Sequence, residues 1–582
     1  MALTDRDLAS VAEARTLAQR AKAAAAVLAE FSQQQIDAIV DAMAAAVTPH
    51  AEALARLAHE ETGYGVVADK VQKNLFASEK VYQFIRPMKT VGVVRRLDDR
   101  KVIEIAEPFG VVCAIVPSTN PTSTAIYKIL IAIKARCPLV ISPHPSAVRC
   151  IARVAEIMTD AARRAGAPEG AINCMTTVTL EGTQELMKAR EVAVILATGG
   201  MGLVRAAYSA GKPAYGVGPG NAPAFIERTA DVPKAVRDVV IGKTFDNGVL
   251  CSSPNSVVVD GPVVEEVKRE FVSNGGYFMS AAEISAVATV LLGPQRLPNP
   301  RLVGRSAIVI AQAAGITVPS GTRVLIAELA GVGRDFPLSI EKLSPVLSFY
   351  VVADWKAGCA RCIEILRYGG MGHTMSIHSR NDQIILEFGL KKPAGRIVVN
   401  TPTTHGSIGL TTGLDPAMTL GCGGWGGNIT SDNISPRHLL NIKRLAYETT
   451  PAVVRAAEDS AGATATRGGA LPKPPAQPPV PGGIAADVLA RRIDEFLTSR
   501  GYRPTAAPTA TSPPAAPATA APAVADQAGI NQTPVDFVCE DDVRQAIKQN
   551  RKIVIGERTI VTPAARDLGE QHRLFVQASW PR

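Results

Sequence analysis

From near its start to about Glu448 the chain repeats one rhythm, a short apolar run followed by a helical pattern, and this leaves few architectures open. "GVVCAIVP" (Gly110–Pro117), "PLVISPHP" (Pro138–Pro145) and "EVAVILATGG" (Glu191–Gly200) read as strands, with a helix opening near Pro121 between the first two. Their apolar residues run continuously and do not alternate, the pattern of strands buried on both faces of a parallel sheet. The expectation is an α/β fold with ligands held at the strand ends. With 582 residues, 47% of them apolar, the chain has material for several domains and a large core.

Beyond Glu448 the rhythm stops. "AGATATRGGALPKPPAQPPVPGG" and "PTAAPTATSPPAAPATAAPAVADQAG" are Ala/Pro/Thr-rich and too poor in large apolar residues to build a core, so they read as linkers over 451–483 and 501–530. Between them, Ile484, Val488, Leu489, Ile493, Phe496 and Leu497 fall on one face of an amphipathic helix over 484–500. A helix this short needs a surface to lie on, and flanking linkers favour a tethered docking element over a helix folded back on its own domain. Residues 531–582 read as a small module: a helix, the alternating "KIVIGERTIV", and a second helix opening at Thr562-Pro563. Cys539 within it suits packing.

Several function classes recede on composition. The formal charge of +9 suits an anionic ligand, but Lys and Arg are spread singly, which favours a phosphate-bearing cofactor over nucleic acid. Nine cysteines without regular spacing suggest a reducing, cytoplasmic setting and no disulfides. The longest apolar run, "TAIYKILIAIKARCPLVI", is broken by Lys128, Lys134, Arg136 and Pro138 and does not suit a membrane span. The opening residues have no apolar signal core. "CARC", with Cys359 and Cys362, is a lone pair that suits packing better than zinc, and no metal site is expected.

One cysteine stands apart. In "FDNGVLCSSPNS", Cys251 follows Asn247-Gly248, a turn signal that would present its thiol on a loop, whereas a free cysteine is more often a buried filler. Gly199, Gly200 and Gly202 stand between a strand and a helix, where backbone N–H groups can approach a phosphate or a nicotinamide. "YGVGPGNAPAF" and "TLGCGGWGGN" are glycine-dense loops.

Taken in order over roughly residues 30 to 446, "PFGVVCAIVPSTNPTSTAIYK", "SPHP", "FDNGVLCSS", "EKLSPVL", "GMGHT", "NTPTTHGSIG" and "TLGCGGWGGN" resemble the CoA-acylating aldehyde dehydrogenases, including the microcompartment-associated propanal and acetaldehyde enzymes. The resemblance implies a dinucleotide-binding domain over 1–230, a catalytic domain over 231–410, and a return segment with an oligomerisation arm over 411–450. It implies that Cys251 attacks the aldehyde, that hydride passes to NAD+ (NADP not excluded), and that coenzyme A takes the acyl group from the resulting thioester. Asn120 would stabilise the oxyanion with the Cys251 N–H, a helix cap being its other use. Glu341 would hold the nicotinamide ribose, Ser142 and His144 of "SPHP" would lie on the cofactor, and His373 would assist proton transfer or merely hold a loop. Hydrolytic relatives carry a glutamate base where Gly216 stands, so water attack should be slow. A homo-oligomer in the cytoplasm, docked by its tail in a bacterial microcompartment, completes what the resemblance implies.

Overall fold

A computed structural model describes residues 4–293 and 296–450, and beyond them 535–538, 540–549, 551–561, 565, 568, 569, 572 and 574–577. The chain divides into two compact units, Met1–Ala456 and Ala457–Arg582. The proposed linkers, the 484–500 helix and Cys539 lie outside the described residues.

In the first unit a hairpin of β1 (Gly92–Leu97) and β2 (Val102–Pro108) precedes β3 (Val111–Val116), β4 (Leu139–Pro143), β5 (Ile172–Cys174), β6 (Val192–Thr198) and β7 (Ala214–Val217). The last five form a wholly parallel sheet in the order β5-β4-β3-β6-β7. The three sequence-read strands are β3, β4 and β6, and the helix between the first two spans Pro121–Lys134. Alternate residues of β3 enter different cores: Val112, Ala114 and Val116 pack with Ile129 and Met43, whereas Val111, Cys113 and Ile115 pack with Ala14, Ala18 and Ala21. Helices therefore cover both faces, which explains the continuous apolar runs. The chain winds out from β3 in both directions, so the order switches between β3 and β6, where parallel sheets leave a crevice at their carboxyl ends.

The chain then enters a second parallel sheet built from β8 (Ala222–Ile226), β9 (Pro254–Asp260), β10 (Gly276–Phe278), β11 (Val324–Glu328), β12 (Val346–Val352), β13 (Gly372–His378) and β14 (Ala394–Val399). Its order is β10-β11-β12-β9-β8-β13-β14. The passage between sheets occupies Val217 to Ala222, ahead of the boundary expected at residue 230. It runs from the carboxyl edge of the first sheet to the amino edge of the second. β15 (Leu440–Ala446) returns to pair antiparallel with β2, from Leu440↔Pro108 to Ala446↔Val102, closing a three-stranded sheet with β1.

The apolar run read above as unsuited to a membrane is the Pro121–Lys134 helix followed by β4; buried Lys128 donates to the Ile115 and Leu196 carbonyls at 2.7 and 2.9 Å. Among the described residues no helix is long and apolar enough to cross a membrane. In the second unit, β16 (Val535–Val538), β17 (Ile553–Val561) and β18 (Phe575–Gln577) form a parallel sheet with helix Glu540–Lys548, around Val538, Val543, Ala546, Ile553 and Leu574. "KIVIGERTIV" is thus a strand, and Thr562-Pro563 lies outside the described residues.

Candidate active site

A cavity of about 440 Å³ lies between the carboxyl edge of the first sheet and the amino edge of the second. Its walls come from the ends of β3 (Ser118 to Asn120), β4 (Ser142 to Pro145), β6 (Thr198 to Gly200) and β7 (Val217 to Pro219), facing Cys251, Glu341 and Leu343. Seven residues singled out from the sequence line it together: Cys251, Asn120, Glu341, Gly199, Gly200, Ser142 and His144. Gly202 does not; it is exposed on the helix Met201–Tyr208.

Cys251 is half-buried, in the turn that leads into β9. The turn is set by three consecutive left-handed residues, Asp246 (φ 49°), Asn247 (φ 53°) and Gly248 (φ 74°). Asx residues tolerate this region better than other side chains, and glycine adopts it freely. Asp246 is wholly buried and holds the turn by accepting from Val66 N at 2.6 Å, Lys70 Nζ at 3.0 Å and Lys73 Nζ. Burial, then the facing Glu341 carboxyl and Cys422 sulfur, pushes the Cys251 thiol up to about 12.

Asn120 occupies the cap position of the Pro121–Lys134 helix but makes no capping hydrogen bond with its side chain. Its Oδ1 accepts from Lys73 Nζ at 2.7 Å, and its Nδ2 donates to Thr119 Oγ1 at 3.2 Å. Glu341 is only 7% exposed and is no surface carboxylate. It accepts from Gly220 N at 2.8 Å, and burial lifts it to about 8 against that bond and the pull of Lys243. Ser142 Oγ meets Thr183 Oγ1 at 2.8 Å, and His144 Nδ1 meets Ser146 Oγ at 2.8 Å.

His373 stands behind the cavity wall, at the start of β13. A methyl placed on Gly220 would fall 2.1 Å from the Cys251 carbonyl oxygen and 3.2 Å from His373 Cγ, so both residues pack against this glycine. His373 Nδ1 meets the adjacent Thr374 Oγ1 at 3.0 Å, while buried Nε2 has no hydrogen-bond partner among the described residues. Burial and the Arg396 guanidinium hold the ring down at about 3, keeping it neutral.

A Cβ added to Gly216 would fall 2.7 Å from both Tyr208 Oη and Val204 Cγ1. The space a longer side chain would need there is filled. Asn428, from the glycine-dense loop, donates to the Gly216 carbonyl at 2.5 Å.

The cavity residues fit a dinucleotide. The pocket lies at the switch in strand order, the turn Gly199–Gly200 opens a helix, and Gly200 has nothing within 4 Å of where a side chain would start. Ser142 and Thr183 offer hydroxyls, and buried Glu341 offers a carboxyl near Cys251. Lys73, Asp246, Thr183 and Tyr208 carry no signal in the sequence that marks them for this site. Asp246 lies in the cysteine stretch, but its grip on Lys70 and Lys73 joins segments more than 170 residues apart.

The chain belongs to the aldehyde dehydrogenase family, whose pattern residues 2–323 match. It is 43% identical over 442 residues to the bifunctional aldehyde-alcohol dehydrogenase of Escherichia coli (strain K12), covering 75% of this chain and 50% of that one. The chain thus spans about half the length of this curated relative. An acetylating aldehyde dehydrogenase from Geobacillus thermoglucosidasius superposes with a TM-score of 0.76 at 48% identity, covering 78% of this chain and 100% of that one. A propionaldehyde dehydrogenase from the Clostridium phytofermentans fucose utilisation bacterial microcompartment gives a TM-score of 0.68 at 27% identity, covering 76% and 99%.

Proposed function

We propose that the protein is a CoA-acylating aldehyde dehydrogenase that converts a short-chain aldehyde, propanal or acetaldehyde, to its acyl-CoA with NAD+. The observation that carries this reading is one cavity lined by Cys251, Asn120 and Glu341 together with a glycine turn at the strand switch, beside a filled space at Gly216. The Geobacillus relative's description as acetylating supports the acyl-transfer half.

In this mechanism Cys251 first gives up its thiol proton to solvent, its thiolate adds to the aldehyde carbon, and the oxygen that becomes negative is met by Asn120 Nδ2 and the Cys251 N–H. The bound dinucleotide supplies the hydride acceptor. Glu341, which lines the same cavity as Cys251, would hold the ribose, and loss of hydride leaves the acyl group on sulfur as a thioester. The coenzyme A thiol then displaces Cys251 and its proton passes to the departing Cys251 sulfur; His373, neutral and packed on Gly220 behind the wall, would relay it through Nε2. Water has no base at position 216, so coenzyme A wins the thioester. NADP in place of NAD+ is an outcome of the same assay.

The microcompartment reading rests on the Clostridium phytofermentans neighbour and on the sequence of the tail, with shell or core proteins as partners of residues 484–500. The sheet of β1, β2 and β15, which exposes Val93, Leu445 and Tyr447 on or beside its strands, is the proposed oligomerisation arm.

The test is an aldehyde panel with NAD+, with and without coenzyme A, following NADH and thioester together. Sustained turnover only with coenzyme A is expected; without it, a single burst equal to the active sites. Steady production of free acid without coenzyme A would overturn the acylating reading. C251S should lose NADH formation and keep dinucleotide affinity.

A further inference from the structure

A carboxamide has two ends of opposite chemistry, and only the nitrogen end can stabilise an alkoxide. What decides which end of Asn120 faces the cavity is therefore a question about the reaction. Lys73 Nζ lies 2.7 Å from the side-chain oxygen of Asn120. An ammonium can only donate, so the oxygen end must face Lys73 and the nitrogen end must turn away from it. That nitrogen has a single bond among the described residues, to Thr119 Oγ1, which leaves one amide hydrogen for a ligand.

Lys73 is itself held. It is 2% exposed and donates to Asp246, the carboxylate that anchors the left-handed turn before Cys251. Asp246 also takes Lys70 Nζ and Val66 N, and its own N–H donates to Asp69 at 2.7 Å. Burial lowers Lys73 only to about 8, against the pull of Asp246, so it stays protonated at neutral pH. One buried ammonium thus touches both the amide that faces the cavity and the anchor of the nucleophile's turn.

We propose that Lys73 is a positioning residue for the reaction: it fixes the Asn120 amide with its nitrogen toward the developing oxyanion, polarises that amide, and ties it to the turn that carries Cys251. The proposal rests on the reading of Asn120 as the oxyanion donor.

The test compares K73M, K73Q, K73R, N120A and the double variant K73M/N120A in the full chain. Three quantities are measured: the rate of the NADH burst without coenzyme A, the NAD+ dissociation constant, and the alkylation rate of Cys251. Loss of an oxyanion donor slows catalysis about 100-fold or more, so N120A is expected to lose that much and K73M about 10-fold. K73Q and K73R, which keep a donor for the Asn120 oxygen, should recover most of the K73M loss. The double variant should be no slower than N120A, because Lys73 acts through that amide. NAD+ affinity and Cys251 alkylation should stay near the parent values, since Lys70 and Val66 still hold Asp246.

A K73M burst at the parent rate, or a double variant slower than N120A by the full K73M factor, would overturn the proposal. N120A at the parent rate would instead sink the reading of Asn120 beneath it. Should K73M fail to bind NAD+ because it does not fold, K73A carries the test: its burst must be slower than that of K73R, and K73A/N120A must be no slower than N120A alone.

Discussion

Cys251 rests as a neutral thiol, because burial and the facing Glu341 and Cys422 lift it to about 12. Raising a thiol's pKa favours the protonated form, so the reactive thiolate is scarce near neutrality and grows with pH throughout the usable range. Iodoacetamide inactivation of the cofactor-free enzyme should accelerate about tenfold per pH unit without levelling off near pH 8. A plateau at neutral pH would mean that the thiolate is preformed. Glu341 titrates near 8, so it adds repulsion mainly above that pH. E341Q should match the parent below pH 7 and alkylate faster above pH 9, a comparison made in the same assay. At this scale the sequence was a partial guide. Cys251, Asn120 and Glu341 could be singled out because each stands in a motif that carries the family resemblance, and the fold brings all three to one cavity. Lys73 was not: on the helix Val67–Leu75 its charge suggests a solvated face, and its partner Asn120 is 47 residues away. Buried Lys128 escapes sequence reading for the same reason, since its acceptors are the Ile115 and Leu196 carbonyls of two different strands.

Among the elements, β3, β4 and β6 were readable because strands covered on both faces leave continuous apolar runs. The order of the seven-stranded sheet was not, since pairing of β8 with both β9 and β13 leaves no local mark. Mostly exposed β1, GVVRRL, carried no long apolar run to read either. Two glycines at strand boundaries offer tests of packing. G216E restores the residue type of a hydrolytic base, yet its Cβ would meet Tyr208 and Val204 at 2.7 Å. We expect it to lower stability by about 1–3 kcal/mol and to make no free acid, as thermal unfolding and product analysis would reveal. Gly372 opens β13 at φ 76°, and an added Cβ would lie 1.8 Å from the Cys422 carbonyl oxygen. G372A should cost on the order of 3 kcal/mol in urea unfolding and slow thioester transfer to coenzyme A, because His373 is the next residue.

For the whole molecule, the last described strand of the first unit is β15, which pairs with β2 up to Ala446. A chain stopped at residue 450 should keep its turnover and its unfolding temperature, measured by aldehyde oxidation and thermal melting. One stopped at 438 should lose stability, because it leaves an edge of β2 unpaired. In a strain that makes shells, a fluorescent protein fused to residues 484–500 should co-localise with them, and I493E/F496E should disperse it; identical distributions would remove this segment as the address. The passage from Val217 to Ala222 has a different consequence. It links the two sheets, yet Gly218 and Pro219 are cavity wall, Gly220 binds Glu341, and the same glycine packs against Cys251. Domain shuffling relies on joints that can be cut without touching the chemistry, and here the joint is part of the proposed reaction centre. Chimaeras that exchange a cofactor half for that of a relative should therefore be spliced within the outer helices, leaving this stretch and its contacts from one parent.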